Sequence, residues 1–210
     1  MTQPLTPPPS VLLFDLGGVL VDNAIFEDLP DLLPTPLPKG DLHELWLSSP
    51  AVRRFERGEI DADAFAAQFV SEWGLTLAPS AFLERFATWP KGFFAGAGPL
   101  LTRLRRRYRI AYLSNSNAVH WRGFSDILSH ADVAYASHIC GLVKPDPALF
   151  RLVVDDLGCA PGDICFFDDS AGNVRAAQAF GLDAHLTVGV DQLTAKLQAL
   201  GLGGAAIEAP

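Results

Sequence analysis

The sequence predicts an α/β fold built on a parallel sheet, with a small helical unit inserted after the first strand. Three observations carry this expectation. Short apolar runs alternate with helical stretches near the start of the chain and again from residue 96 onward, the pattern of βαβ units. Each run is nearly continuously apolar, as parallel strands buried on both faces must be. Between residues 23 and 95 the alternation stops, and aromatic residues at helical spacing take over.

The first run, Val11-Leu-Leu-Phe-Asp-Leu16, carries Asp15 near its end and is followed by Gly17-Gly18, so a buried strand stops at a sharp turn. The segment 28–40 holds Pro30, Pro34, Pro36 and Pro38 and reads as an irregular linker. Leu42, Leu45 and Trp46 suggest a helix after it. From Asp61 to Trp73, the residues Phe65, Phe69 and Trp73 fall on one helical face, and Phe82 and Phe86 repeat that spacing. A helix over Pro99 to Tyr108 then leads into a strand at Arg109 to Ser114. Val133 to Ser137 and Ala184 to Val188 are weaker strand candidates. Asp146-Pro147 has the form of an N-cap with proline at the first helical position. Asp163 to Asp168 is a third apolar strand, and the helix from Ala171 to Phe180 stops before Gly181. The expected organisation is a sheet unit from 1–22 and 96–210, with 23–95 as the insert.

Composition narrows the function. The 210 residues are 49% hydrophobic and 19% charged, which excludes disorder as the default state. Surface scaling buries about 70% of such a chain, enough for one core and a small appended unit. Sixteen Lys and Arg against 24 Asp and Glu give a net charge of −8, which disfavours nucleic acid and anionic membranes as partners. A small phosphorylated substrate stays compatible, because a site can be locally positive. The first ten residues are Pro-rich without a basic residue, unlike a signal peptide, and no apolar run approaches the ~18 residues of a membrane span. Cys140, Cys159 and Cys165 lack C-x-x-C spacing, which argues against a disulfide framework or a zinc site and for a cytoplasmic location. The Gly/Ala-rich tail from Gly201 to Pro210 is expected to fray.

Polar residues at the C-terminal ends of parallel strands are informative, because open α/β sheets bind ligands there. Three such ends carry Asp15, Ser114-Asn115 and Asp168-Asp169. A carboxylate like Asp15 can be a nucleophile or a metal ligand, although an Asp before Gly-Gly is also a common turn residue. Adjacent Asp168 and Asp169 repel unless a cation compensates, and with Asp15 they suit Mg²⁺; N-capping of the next helix is the plainer alternative. Ser114 and Asn115 can donate to phosphate oxygens, or cap a helix. Lys144, in a loop before Pro145, can balance the carboxylates or simply be solvated. His120 follows Asn117 early in a helix and is read as a surface residue with a possible substrate contact. Arg103, Arg105, Arg106, Arg107 and Arg109 suit a helix C-terminus. Arg53, Arg54 and Arg57 in the insert are surface residues within potential reach of an anion.

Taken together, Phe14-Asp-Leu-Gly-Gly-Val-Leu-Val-Asp22, Leu113-Ser-Asn-Ser116, Lys144-Pro145 and Phe166-Phe-Asp-Asp-Ser-Ala-Gly-Asn173 resemble, in order and spacing, the four motifs of the haloacid dehalogenase-like hydrolase superfamily. The stretch Leu113 to Asn117 with His120, and Phe166-Phe-Asp-Asp169, look most like its bacterial glucose-1-phosphate phosphatase branch. The resemblance implies a Rossmann-like parallel sheet with helices on both faces and an inserted helical cap domain. It implies a Mg²⁺-dependent phosphatase acting on a small phosphorylated metabolite such as a sugar phosphate. Asp15 would form an aspartyl-phosphate. Asp15, the Gly17 carbonyl and Asp169 would hold the metal, with Asp168 and Asn173 supporting it. Ser114 and Asn115 would bind phosphate, and Lys144 would neutralise charge.

One departure stands out. Most phosphatases of the superfamily carry an acid/base Asp two residues after the nucleophile, where this chain has Gly17; members of the branch named above share the gap. The gap suggests a substrate whose leaving group departs easily, such as a sugar 1-phosphate, or a proton handled by water, His120 or a cap residue. Two other readings remain: a metal-independent haloacid dehalogenase, whose relatives also lack the second Asp, and a phosphate-binding module without turnover. Neither the substrate nor the oligomeric state is legible.

Overall fold

The computed structural model of this chain describes residues 8–35 and 37–203. Pro36 and the end of the Gly/Ala-rich tail, where fraying was expected, lie outside the described residues.

Five strands form one parallel sheet: β1 (Val11–Phe14), β4 (Arg109–Ser114), β5 (Val133–Ala136), β6 (Ile164–Asp168) and β7 (Asp183–Leu186). Their spatial order is β5-β4-β1-β6-β7. The chain steps outward from β1 to β4 and β5, then crosses back to place β6 on the other side. That reversal leaves a crevice beside the C-terminal end of β1, the position where such sheets bind ligands.

Both faces of the sheet are covered. Leu12, Phe14, Tyr112, Cys165 and Phe167 pack under α6 (Ala97–Leu104) and α12 (Gly189–Ala199). Val11, Leu13, Ala111, Leu113, Ile164 and Phe166 pack under α10 (Pro147–Leu157) and α11 (Ala171–Phe180). Successive strand residues point to opposite faces, so a strand buried on both must be apolar throughout. The Asp146 carboxylate accepts from Ala148 N–H at 2.9 Å and starts α10, as its sequence form predicts. Short helices α7 (Ala118–Trp121), α8 (Ser125–Leu128) and α9 (Ser137–Cys140) fill the loops after β4 and β5.

A two-stranded antiparallel ribbon, β2 (Val21–Asn23) and β3 (Pro90–Phe93), joins the sheet to the helical insert. The insert holds α1 (Ile25–Asp28), α2 (Lys39–Ser48), α3 (Pro50–Glu56), α4 (Ala62–Glu72) and α5 (Pro79–Phe86). It has its own core, in which Phe55, Phe65, Phe69, Phe82, Phe86 and Trp89 are almost completely buried. Phe55 and Phe65 stack with centroids 4.3 Å apart, and Phe69 and Phe82 at 4.8 Å.

Several expectations need correction. The helix expected over Pro99 to Tyr108 is Ala97–Leu104, because the chain turns through Arg105–Arg107 to bury Tyr108 before β4. The proline-rich linker is not wholly irregular: Leu29–Leu32 form a 3₁₀ turn that buries Leu29. Leu45 does not join Leu42 and Trp46 in the core but is 44% exposed. In the arginine run, Arg105 pairs with Asp132 at 2.7 Å, and Arg109 donates to the Leu157 carbonyl. Cys165 is buried, with its thiol pushed upward by burial and by Asp183. Cys165, Asp183 and His185 bring ligating atoms within 4.8 Å of one another at the β6–β7 edge, which cysteine spacing does not foretell. No helix of the described residues is long and apolar enough to cross a membrane.

Candidate active site

The sheet register brings the three strand ends together. Phe14 is paired with Tyr112 on one side and Phe167 on the other, so Asp15, Leu113 and Asp168 follow on adjacent strands. Asp15 N–H donates to the Phe167 carbonyl at 2.9 Å, extending the strand by one residue. The Asp15 Oδ1 atom accepts from Leu16 N–H at 2.7 Å, which fixes the carboxylate at the strand end.

Lys144 arrives from the loop between α9 and α10. Its ammonium lies 3.0 Å from Asp15 Oδ2 and 2.7 Å from Asp168 Oδ2, and donates to the Leu113 carbonyl at 2.9 Å. The side chain is buried, so the solvated alternative is excluded. Burial alone would lower its pKa, but Asp15 and Asp168 outweigh that and drive it upward. Lys144 is therefore a fixed cation under the cleft floor.

Asn115 holds that loop in place. Its Nδ2 donates to the Lys144 carbonyl at 3.0 Å, and its Oδ1 accepts from Lys144 N–H at 2.8 Å. Asn115 lines the cleft, but its amide is engaged in this staple. The second N–H of its Nδ2 is not used by this staple. Ser114 is buried at the end of β4 and is not among the cleft-lining residues.

Asp168 is fully buried. Besides Lys144 it accepts from Ser170 N–H at 2.8 Å and from Asn173 Nδ2 at 3.0 and 3.2 Å. Asp168 thus links Asn173 to Lys144. Asp169 turns the other way, into the cleft. Gly18 passes so close to it, with φ at +72°, that a Cβ there would collide with the Asp169 carboxylate.

The ligating oxygens of Asp15, Asp168 and Asp169 lie within 4.8 Å of one another. Three carboxylates share one ammonium. Burial first, and then the neighbouring aspartates, push Asp15 well above the usual carboxylate range despite Lys144; burial and Asp168 likewise raise Asp169. Such a cluster is short of positive charge, and its hard oxygen donors fit a divalent cation of the magnesium type.

The cleft above these residues has a volume of about 410 Å³. Its far wall comes from the helical insert, through Phe26, His43, Trp46, Val52, Arg53 and Glu56. Of Arg53, Arg54 and Arg57 only Arg53 lines it; Arg54 and Arg57 pair with Glu59 on the outside. The sequence reading missed Glu56. The signal available was position: Glu56 lies three residues after Arg53 and four after Val52, on the same face of α3.

His120 is not a surface residue. It is buried, its Nε2 lies 2.7 Å from the Phe86 carbonyl, and it does not line the cleft.

A family model for haloacid dehalogenase-like hydrolases matches residues 9–181. The chain is 25% identical over 186 residues to a D-ribitol-5-phosphate phosphatase of Bacteroides thetaiotaomicron, covering 82% of this chain and 88% of that one. It is 29% identical over 181 residues to a sesquiterpene phosphatase of Aspergillus oryzae, covering 83% and 88%. Among solved structures, a haloacid dehalogenase family enzyme of Bacteroides thetaiotaomicron overlays with a TM-score of 0.71 at 23% identity, covering 88% of this chain and 96% of that one.

Proposed function

The chain belongs to the haloacid dehalogenase-like hydrolases, and on that premise we propose that it is a magnesium-dependent phosphatase of a small phosphorylated metabolite, working through an aspartyl-phosphate on Asp15. The observation that carries this reading is Lys144, buried with its ammonium between Asp15 and Asp168, beside a third carboxylate at Asp169. Family membership and phosphatase relatives support the reaction class.

In this reading Asp15 attacks phosphorus in line, held at the strand end by its bond from Leu16 N–H. Lys144 offsets negative charge on nucleophile and phosphoryl group, and Asp168 with Asn173 keeps it aimed. Asn115 borders the phosphoryl position, with Ser114 buried just before it. Asp15, the Gly17 carbonyl and Asp169 would hold Mg²⁺, whose charge, when bound, offsets that of the phosphate oxygens. Residues 23–95 act as the cap over the sheet unit 1–22 and 96–210, and contact the leaving group. Phe26, Trp46 and Val52 offer apolar contact there, and Arg53 and His43 offer polar contact, which suits a polyol or sugar phosphate.

The test is a screen of phosphate esters, sugar phosphates included, with Mg²⁺ and with EDTA, on wild type and Asp15→Asn. Phosphate release that needs both Asp15 and the metal is expected. Release surviving Asp15→Asn would remove the nucleophile. Chloride release from a 2-haloacid in EDTA would favour the dehalogenase reading, and no turnover of any kind would favour a binding module.

A further inference from the structure

Gly17 stands where most phosphatases of the superfamily keep an acid/base aspartate, so a proton for the leaving oxygen must come from elsewhere. His120 is unsuited. It lies outside the cleft lining, and its Nε2 hydrogen bonds to the Phe86 carbonyl.

The cap offers one carboxyl group in the cleft. Glu56 is the last residue of α3, a helix anchored by burial of Val52 and Phe55 and capped by Ser49, whose hydroxyl accepts from Val52 N–H at 3.2 Å. The end of α3 rests on the sheet unit: a Cβ on Gly58, two residues on, would collide with the His138 carbonyl of α9. This contact carries Glu56 to the cleft that Asp15, Lys144 and Asp169 line from below. Among the described residues, no hydrogen bond or ion pair holds the Glu56 carboxyl. Glu56 is partly buried and lines the cleft, so its carboxyl is open to a bound substrate.

Resting on the phosphatase reading above, we propose that Glu56 is the general acid and then the general base of this enzyme, supplied from the cap in place of the side chain that Gly17 lacks. In the first step an Asp15 oxygen forms a bond to phosphorus. The bond from phosphorus to the leaving oxygen breaks, its electron pair stays on that oxygen, and the Glu56 proton moves to it. Products are the free alcohol, the aspartyl-phosphate and an ionised Glu56. In the second step Glu56 takes a proton from water as the water oxygen attacks phosphorus. The bond from phosphorus to the Asp15 oxygen breaks, its electron pair returns to the Asp15 carboxylate, inorganic phosphate leaves, and protonated Glu56 is restored.

The charged groups around Glu56 suit this cycle. Arg53 on its own helix and Lys144 from the sheet unit favour the ionised form. Asp15 and Asp169 across the cleft carry opposing charge, and His43 of α2 lines the same wall. Burial is the largest influence and outweighs both cations, leaving the carboxyl near 7. A group poised there both gives and accepts a proton at neutral pH.

The test uses the full chain with Mg²⁺ in rapid-quench experiments on wild type, Glu56→Gln and Glu56→Asp. Two substrates are compared: p-nitrophenyl phosphate, whose leaving group needs no proton, and whichever alkyl phosphate the wild type turns over best. In Glu56→Gln, phosphorylation of Asp15 by the alkyl phosphate should slow about 10²- to 10⁴-fold, and by the aryl phosphate less than about tenfold. Nitrophenolate should appear as a burst followed by slow turnover, because water attack has lost its base. The wild-type fall in kcat/KM for the alkyl phosphate above about pH 7 should vanish in Glu56→Gln, and Glu56→Asp should recover part of the rate. Equal slowing of both substrates, or no slowing, with an unchanged melting temperature overturns the proposal while the phosphatase reading stands. A wild type that releases no phosphate from any ester overturns both.

Discussion

The Nε2 atom of His120 lies 2.7 Å from the carbonyl oxygen of Phe86, and the two rings stack with centroids 4.1 Å apart. One residue sits in α7 of the sheet unit and the other ends α5 of the helical insert, so the pair joins the two. The hydrogen bonds specify the tautomer. Asn117 Oδ1 accepts from Val119 and His120 N–H, which turns its Nδ2 toward His120 Nδ1 at 3.2 Å. Nδ1 must then be an acceptor, and Nε2 carries the hydrogen. The ring is neutral.

That neutrality makes stability depend on pH. Burial, opposed by the Phe86 bond, lowers His120 from 6.5 to about 4. Between those values the unfolded chain binds the extra proton, so stability falls as pH falls, and the loss is complete below the folded value. The loss attributable to His120 is about 2 kcal/mol by pH 5 relative to pH 7. Urea midpoints measured at both pH values should drop more for wild type than for His120→Asn. Parallel changes would count against a neutral His120.

Removing the buried cation should be costly. Lys144→Met leaves Asp15 and Asp168 without their partner in a closed site, a change of about 3–5 kcal/mol. Adding Asp168→Asn to it should recover part of that loss. Urea denaturation of the three proteins decides, and a Lys144→Met variant as stable as wild type would contradict the geometry.

The two adjacent glycines should respond oppositely to a side chain. A Cβ on Gly17 meets only Asn23 Nδ2 at 3.7 Å, an ordinary contact. Gly17→Asp is therefore expected to fold and to speed turnover of alkyl more than aryl phosphates. Gly18→Ala forces a Cβ into Asp169 at a left-handed φ, and should lower both melting temperature and activity. Thermal melts with paired substrate assays separate the two; equal gains on both esters in Gly17→Asp would argue against an added acid.

Magnesium should stabilise the folded enzyme by binding it and not the unfolded chain. The melting temperature is expected to rise with Mg²⁺ in wild type and to rise much less in Asp169→Asn. Because Asp15 is a carboxylate raised by burial and by its acidic neighbours, Asp15→Asn should melt no lower than wild type in EDTA while losing turnover. A marked drop in its melting temperature would show that the Asp15 charge is structural.

Much of the sheet was legible because its signals are local. The run from Val11 to Phe14 has no polar residue, since a central parallel strand faces apolar helices on both sides, and Asp15 marks where that burial ends. The same reasoning located Ser114 and Asp168 at the ends of their strands. The helix from Ala171 to Phe180 was readable from its terminal Gly181, which has φ at +110°. The linker before α2 and the end of α6 were not, because Leu29 and Tyr108 bend the chain to reach cores built from distant residues.

The linear order of residues by itself determined where strands stop and which carboxylates stand at their ends, because periodicity and turn chemistry act over a few neighbouring residues. Only the tertiary packing decided that Lys144 and His120 are buried, that Asn115 staples a loop, and that Glu56 faces the cleft. Burial and charge depend on what lies across a gap in space, and Asp15 and Lys144 meet there although they are far apart along the chain.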